Sequence, residues 1–345
     1  MIKNTDEIEN EIGKEKRWII KNGDELLSED LPETKFLVEK LFPEEGLNLV
    51  CGNPGAFKTW LLLVLARDVS IGEPLMGRFK TDKQKVLYVD EESNLKKIRD
   101  RWRKIKGDKP TDVDFLSMAG FQIDQEQDKE SLLALAKERG YGVVIFDSLR
   151  DIHSSDENNS KDAQLVSANL LDFCKAGITV LVAHHNRKNI AGNYQMKPTF
   201  RGSSVYKAKA SSILMLDVIK DDPEAPEVLI FHDKLREDRK INDFKVGVFE
   251  KNGKIGFQFL ESMESETTKL AKTKEAIKEL LTRKDSYQQQ IVDELLPLFF
   301  SERTIRRALK EMFEAKEIRK ISGQAEKQKP DGGIKIIRVQ FYQLV

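Results

Sequence analysis

The chain has 345 residues, 58 Lys and Arg against 58 Asp and Glu, and only two cysteines. That length suggests two domains with ample core, and the cysteine count excludes a disulfide scaffold. No apolar run is long enough to span a bilayer and no signal peptide is evident, which predicts a cytoplasmic protein with no membrane partner.

Residues 1–35 carry six basic and ten acidic residues around a short apolar cluster of Trp18, Ile19, Ile20, Leu26 and Leu27, and read as an N-terminal arm. From residue 36 to about 260, β-rich apolar runs at 47–51, 85–89, 143–146, 178–183, 213–216 and 228–231 alternate with helical segments. Such alternation predicts an α/β fold with a mostly parallel sheet covered by helices. Leu95, Ile98, Trp102 and Ile105 recur at helical spacing, as do Leu132, Leu133, Leu135 and Ala136; these are core faces. The polar stretches 151–161 and 187–204 follow strand ends, where open α/β sheets place ligands.

The first of these strands breaks into Gly52-Asn53-Pro54-Gly55-Ala56-Phe57-Lys58-Thr59 and then, from Trp60, turns helical. A loop of this form binds phosphate through backbone N–H groups and the helix N-terminus, with Lys58 on the terminal phosphates and the Thr59 hydroxyl on Mg²⁺. The strict pattern has Gly before the lysine, where it lets the backbone approach phosphate; here Phe57 stands in that place. ATP and Mg²⁺ are therefore the expected ligands.

Phosphoryl transfer also needs a carboxylate for the metal, a group that orients the attacking water and a cation for the developing charge. The run 143–147 ends in Asp147, the form expected of the metal carboxylate. A second run ends in Asp90-Glu91-Glu92; Glu91 is the expected water-polarising residue, Glu92 the alternative one register away, and Asp90 structural. A third closes on His184-His185-Asn186, and His185 is expected to sense the γ-phosphate with Asn186 beside it. No Cys/His cluster accompanies the histidine pair, which disfavours zinc.

Residues 261–268 form a charged break, after which 269–345 read as three helices (270–283, 288–299 and one capped by Ser301) and a hairpin of strands at 317–321 and 334–344. This is a winged helix-turn-helix layout. Residues 267–345 hold seventeen Lys and Arg against eleven Asp and Glu, with Arg303, Arg306, Arg307 and Lys310 on the third helix, a pattern that suits duplex DNA. A protein-binding tail is the competing reading.

Taken in order, the lead-in 36–46, the phosphate loop, the Glu91, Asp147 and His185 strands and Arg201-Gly202-Ser203-Ser204 resemble the RepA- and DnaB-type branch of RecA-like hexameric P-loop ATPases. That resemblance implies a hexameric ring and a channel loop gripping single-stranded DNA, here 187–201 with Arg187, Lys188, Lys197 and Arg201. It also implies trans-acting fingers in Lys234 and Arg236, with Arg201 the rival finger. The expected function is an ATP-hydrolysing replicative helicase or helicase-like motor of a mobile element. The alternative is a nucleotide-gated DNA-binding regulator that does not unwind.

Overall fold

Continuous apolar runs dictate the architecture, because successive strand residues face opposite sides of a sheet and an unbroken run therefore needs cover on both. The computed structural model describes residues 21–30, 33–156, 159–187, 199–200, 203–263, 266–298, 301–328 and 334–345. The chain divides after Lys35. Before that point lies the short helix α1 (Gly23–Ser28), capped by the Asn22 side chain. The apolar cluster Trp18, Ile19 and Ile20 lies outside the described residues.

Beyond Lys35 a small ladder, β1 (Phe36–Val38) and β2 (Phe42–Pro43), leads into the main sheet. Its strands are β3 (Leu47–Gly52), β4 (Val86–Asp90), β5 (Val113–Ser117), β6 (Val143–Asp147), β7 (Thr179–Arg187), β8 (Thr199–Phe200), β9 (Ser212–Lys220), β10 (Glu227–Leu235), β11 (Phe244–Lys251) and β12 (Lys254–Ser262). The spatial order is β12-β11-β10-β9-β3-β7-β6-β4-β5, with β8 paired to β7. Strands β9, β3, β7, β6, β4 and β5 are parallel; β10, β11 and β12 extend the sheet antiparallel.

Each parallel strand is apolar on both faces. Val50, Ile145, Leu181 and Ala183 join one core, which also holds Leu61, Leu62 and Leu65 of α2 (Lys58–Ile71) and Ile105 of α3 (Leu95–Ile105). Leu49, Val144, Phe146 and Val182 join the other, with Leu132 of α4 (Glu126–Glu138) and Val166, Leu170 and Phe173 of α5 (Ser160–Lys175). Helix α2 is buried on nearly every side, as its unbroken Leu-rich sequence requires. The short α6 (Ser204–Lys209) follows β8 and contributes Tyr206 to the second core.

The expected parallel core is thus present, and four strands of the main sheet go beyond it: β5, β8, β11 and β12. Strands β11 and β12 form a hairpin around Asn252-Gly253, both with positive φ (55° and 70°), the conformation that makes Asn-Gly a strong hairpin signal. Strand β12 runs to Ser262 and α7 (Glu266–Arg283) starts at Glu266, so structure extends into the expected break at both ends.

The remaining elements are β13 (Ser286–Tyr287), α8 (Gln288–Leu295) with a 3-10 turn at Leu296–Leu298, α9 (Glu302–Glu314), β14 (Ile318–Gln328) and β15 (Ile334–Leu344). They form a three-stranded sheet, β13-β15-β14, and a separate core of Ile277, Ile291, Leu295, Ile305, Leu309 and Met312. Strand β14 is longer than the expected 317–321, because Ser322 to Gln328 pair through their backbones with the apolar β15 although their own side chains do not alternate. Among the described residues no helix is long and apolar enough to cross a membrane.

Leu62 is fully buried in the α2 core, so Leu62→Ala should cost about 2–5 kcal/mol, read as a lower urea midpoint with an unchanged m value.

Candidate active site

Parallel pairing brings the carboxyl ends of β3, β7, β6 and β4 to one edge, with Gly52 opposite His185 and Asp147 opposite Asp90. Open α/β sheets bind ligands in that position. The loop leaving β3 turns at Gly55 (φ 81°) and enters α2 at Phe57, which is left-handed (φ 63°, ψ 16°) and supplies no side-chain cap. This explains the glycine of the strict pattern in conformational terms: an L residue here carries a cost of roughly 1–2 kcal/mol. Phe57 offsets it by packing, half-buried, against the α2 core. Gly52 is required for space, since a Cβ would stand 3.0 Å from Ala56 Cβ and 3.2 Å from the Leu216 carbonyl oxygen.

Lys58 is buried, and its Nζ donates to the carbonyl oxygens of Gly52 (3.0 Å) and Asn53 (3.1 Å) and lies 3.5 Å from His185 Nδ1. Burial lowers its pKa below the ordinary lysine value, while the Asp147 and Glu92 carboxylates act in the opposite direction. Asp147 is also buried, and its Oδ2 accepts a 2.8 Å bond from the Tyr88 hydroxyl of β4. Burial and the adjacent Asp147 push the Tyr88 phenol well above its ordinary range, so it remains a donor. His184 points to the other face, where its ring meets Tyr206, and Asn186, next to His185 in sequence, is buried.

The three acids after β4 have separate surroundings. Asp90 Oδ1 accepts the Glu92 (3.0 Å) and Ser93 (2.6 Å) amides and shapes the turn. Both Glu91 oxygens are engaged away from the phosphate loop, accepting the Ala119 (3.1 Å) and Gly120 (2.9 Å) amides. Glu92 is exposed.

A cavity of about 220 Å³ opens on the loop, lined by Gly55, Ala56, Phe57, Lys58, Thr59, Trp60 and Arg101. Arg101 and Tyr88 are the residues that sequence reasoning missed. Arg101 Nη1 donates to Ser93 Oγ (3.0 Å) and stands 4.0 Å from Asp90 Oδ2. Its signal was a lone arginine on the polar face of α3, indistinguishable from Arg99 and Arg103.

Other expected residues lie elsewhere. Lys234 Nζ donates to the Lys207 (2.8 Å) and Ala208 (3.0 Å) carbonyls, and Arg236 Nη2 to Ala208 (2.6 Å), so both close the C-terminal turn of α6. Arg187 ends β7, paired with Thr199, while Lys188, Lys197 and Arg201 lie outside the described residues. Arg303, Arg306, Arg307 and Lys310 are on α9.

Among the described residues no three His, Cys, Asp or Glu side chains gather as a metal cage. The Thr59 hydroxyl and Asp147 carboxylate are hard oxygen donors, the set that suits a Mg²⁺ held largely by phosphate and water.

A family model described as an AAA domain matches residues 19–191, half of the chain. Among solved structures, a DnaB-like replicative helicase, described with its interactions with primase, aligns with a TM-score of 0.50 at 16% identity over 69% of this chain. This chain spans 66% of that helicase. A KaiC-like protein of the hyperthermophilic archaeon Pyrococcus horikoshii OT3 aligns at 14% identity and TM-score 0.46 over 67% of this chain and 98% of its own. No curated protein matches the sequence. The likeness shows that the core shares the fold of that structure.

Burial raises Asp90 from its ordinary 3.8 to about 6. The folded chain therefore binds this proton more tightly than the unfolded chain, and stability falls as pH rises from 4 to 6, by up to about 3 kcal/mol. Asp90→Asn keeps an acceptor and should lose this part of the pH dependence. Urea midpoints at intervals across that range check it; parallel curves for the two proteins would contradict it.

Proposed function

The chain belongs to the AAA-domain family, and from that premise we propose that it is an ATP-hydrolysing, DNA-binding oligomeric motor of the helicase type. The observation that carries the reading is the loop that follows β3, whose buried Lys58 lies 3.5 Å from His185 at the sheet edge where β6 ends in Asp147. In this reading the loop from Gly52 to Thr59 cradles the triphosphate, and Lys58 leaves the Gly52 and Asn53 carbonyls for its terminal oxygens. Mg²⁺, when bound, neutralises phosphate charge; Thr59 and Asp147 hold it, with Asp147 oriented by Tyr88.

Glu92 takes the water-orienting role in place of Glu91, whose two oxygens already serve the Ala119 and Gly120 amides. His185, within reach of Lys58, senses the terminal phosphate. Arg101 supplies a cation from the same subunit at the cavity wall. Exposed Arg236 uses only Nη2 on α6 and is the better placed finger for a neighbouring site, with Lys234 beside it and Arg201 the rival.

We further propose a hexameric ring with single-stranded DNA gripped by residues 187–201, and residues 269–345 as a winged-helix module that recruits the motor to duplex DNA in a plasmid or virus. Two buried, unpaired cysteines suit the reducing cytoplasm.

ATP turnover of the purified chain, with and without single-stranded DNA, tests the reading. Lys58→Ala should abolish turnover and weaken nucleotide binding. Glu92→Gln should lower turnover by at least about 10²-fold with binding retained, whereas Glu91→Gln should lower it far less. Equal losses for the two glutamates would return the role to Glu91, and DNA-indifferent turnover would favour a nucleotide-gated regulator.

A further inference from the structure

Basic charge in the C-terminal elements is not where the sequence pattern puts it. On α9, Arg306 pairs with Glu302 (2.5 Å), Arg307 with Glu311 (2.9 Å) and Lys310 with Glu314 (3.8 Å), each one turn away on the same helix. Glu311 also accepts Lys274 of α7. Arg303 alone on that helix has no carboxylate partner among the described residues. Four basic and three acidic residues leave the segment 302–314 with one net positive charge.

The hairpin of β14 and β15 differs. Residues 318–344 hold six Lys and Arg against two Asp and Glu. Arg319 bonds the neutral Gln343 through Nε (2.9 Å) and Nη2 (2.7 Å), and Lys320 lies over the Phe313 and Tyr342 rings at 4.7 and 5.5 Å. Lys335 and Arg338 are exposed. Among the described residues none of these four has a carboxylate partner: Arg319 and Lys320 are held by neutral groups, and Lys335 and Arg338 are exposed.

We propose that the β14–β15 hairpin, through Arg319, Lys320, Lys335 and Arg338, is the surface on which duplex DNA docks, and that α9 is a scaffold behind it. This rests on the DNA-binding reading above and names the face that does the binding. Affinity for a duplex comes chiefly from cations that displace condensed counterions. A guanidinium already facing a glutamate must exchange one anion for another and gains less. A two-stranded ribbon has the width to enter a groove, and its eleven-residue strands carry charge well beyond the packed end at Ile318 and Tyr342.

The test is fluorescence anisotropy of the full chain on a duplex of about 30 base pairs, at salt between roughly 50 and 200 mM. Two triple variants each remove three charges: Arg319→Gln with Lys335→Gln and Arg338→Gln, and Arg306→Ala with Arg307→Ala and Lys310→Ala. The hairpin variant should weaken binding at least tenfold and flatten the log–log salt slope by about 2 to 3, the helix variant by less than about 1. The double variant Lys335→Gln with Arg338→Gln leaves the Arg319–Gln343 bond intact, and thermal midpoints confirm that all are folded. Equal losses, or a larger loss from the helix variant, would overturn the assignment. So would a wild-type chain without duplex affinity at low salt; if its turnover still responded to single strands, the motor reading would stand and the tail would be a protein-binding module.

Discussion

Because β3 pairs in parallel with β7 so that Gly52 lies opposite His185, and β6 with β4 so that Asp147 lies opposite Asp90, four loops of unrelated sequence must leave the sheet at one edge. Nothing in the loops has to recognise another loop. The register is itself fixed by two-sided burial: a slip of one residue would move Val50 and Leu181 into the core of Leu49 and Val182. Site geometry is therefore a by-product of core packing, and changes in the core are expected to reach the site through register rather than through contact.

Within that frame the loop after β3 is held by opposing demands. Its entry to α2 needs a left-handed residue, which Phe57 supplies at a conformational cost offset by apolar contact, and its lysine sits in a buried, carbonyl-rich pocket. Burial disfavours the charge on Lys58, and Asp147 and Glu92 favour it. A polyanionic ligand would add to the favourable side, so that the site stores unmet electrostatic demand in a preformed shape.

Much of this was legible beforehand, and the parts that were not share a cause. Apolar runs bounded by polar ends gave the parallel strands, because a strand buried on both faces has no alternative composition. The β11–β12 hairpin was not expected, although Asn252-Gly253 between alternating segments carries a signal for it. Arg101 could not be found, since its role depends on α3 lying beside the phosphate loop, a relation between elements that no local pattern encodes. The same limit applies to Lys234 and Arg236: their spacing after β10 was visible, but the α6 carbonyls they bind are set by the return of the chain between β8 and β9.

The acidic triplet after β4 carries this limit furthest. Three adjacent carboxylates beside Asp147 would repel one another if all faced the same volume, and the fold removes the conflict by giving each a different environment. Asp90 turns back on its own amides, and its pKa rises because burial and Asp147 both disfavour its charge. Glu91 points outward into the amides of the loop after β5. Glu92 is left exposed and without those amides, so the surroundings of two neighbouring glutamates are separated by where Ala119 and Gly120 lie, twenty-eight and twenty-nine residues from Glu91 in sequence. The environment of one residue is in this way set by the hydrogen-bond partners of its neighbours.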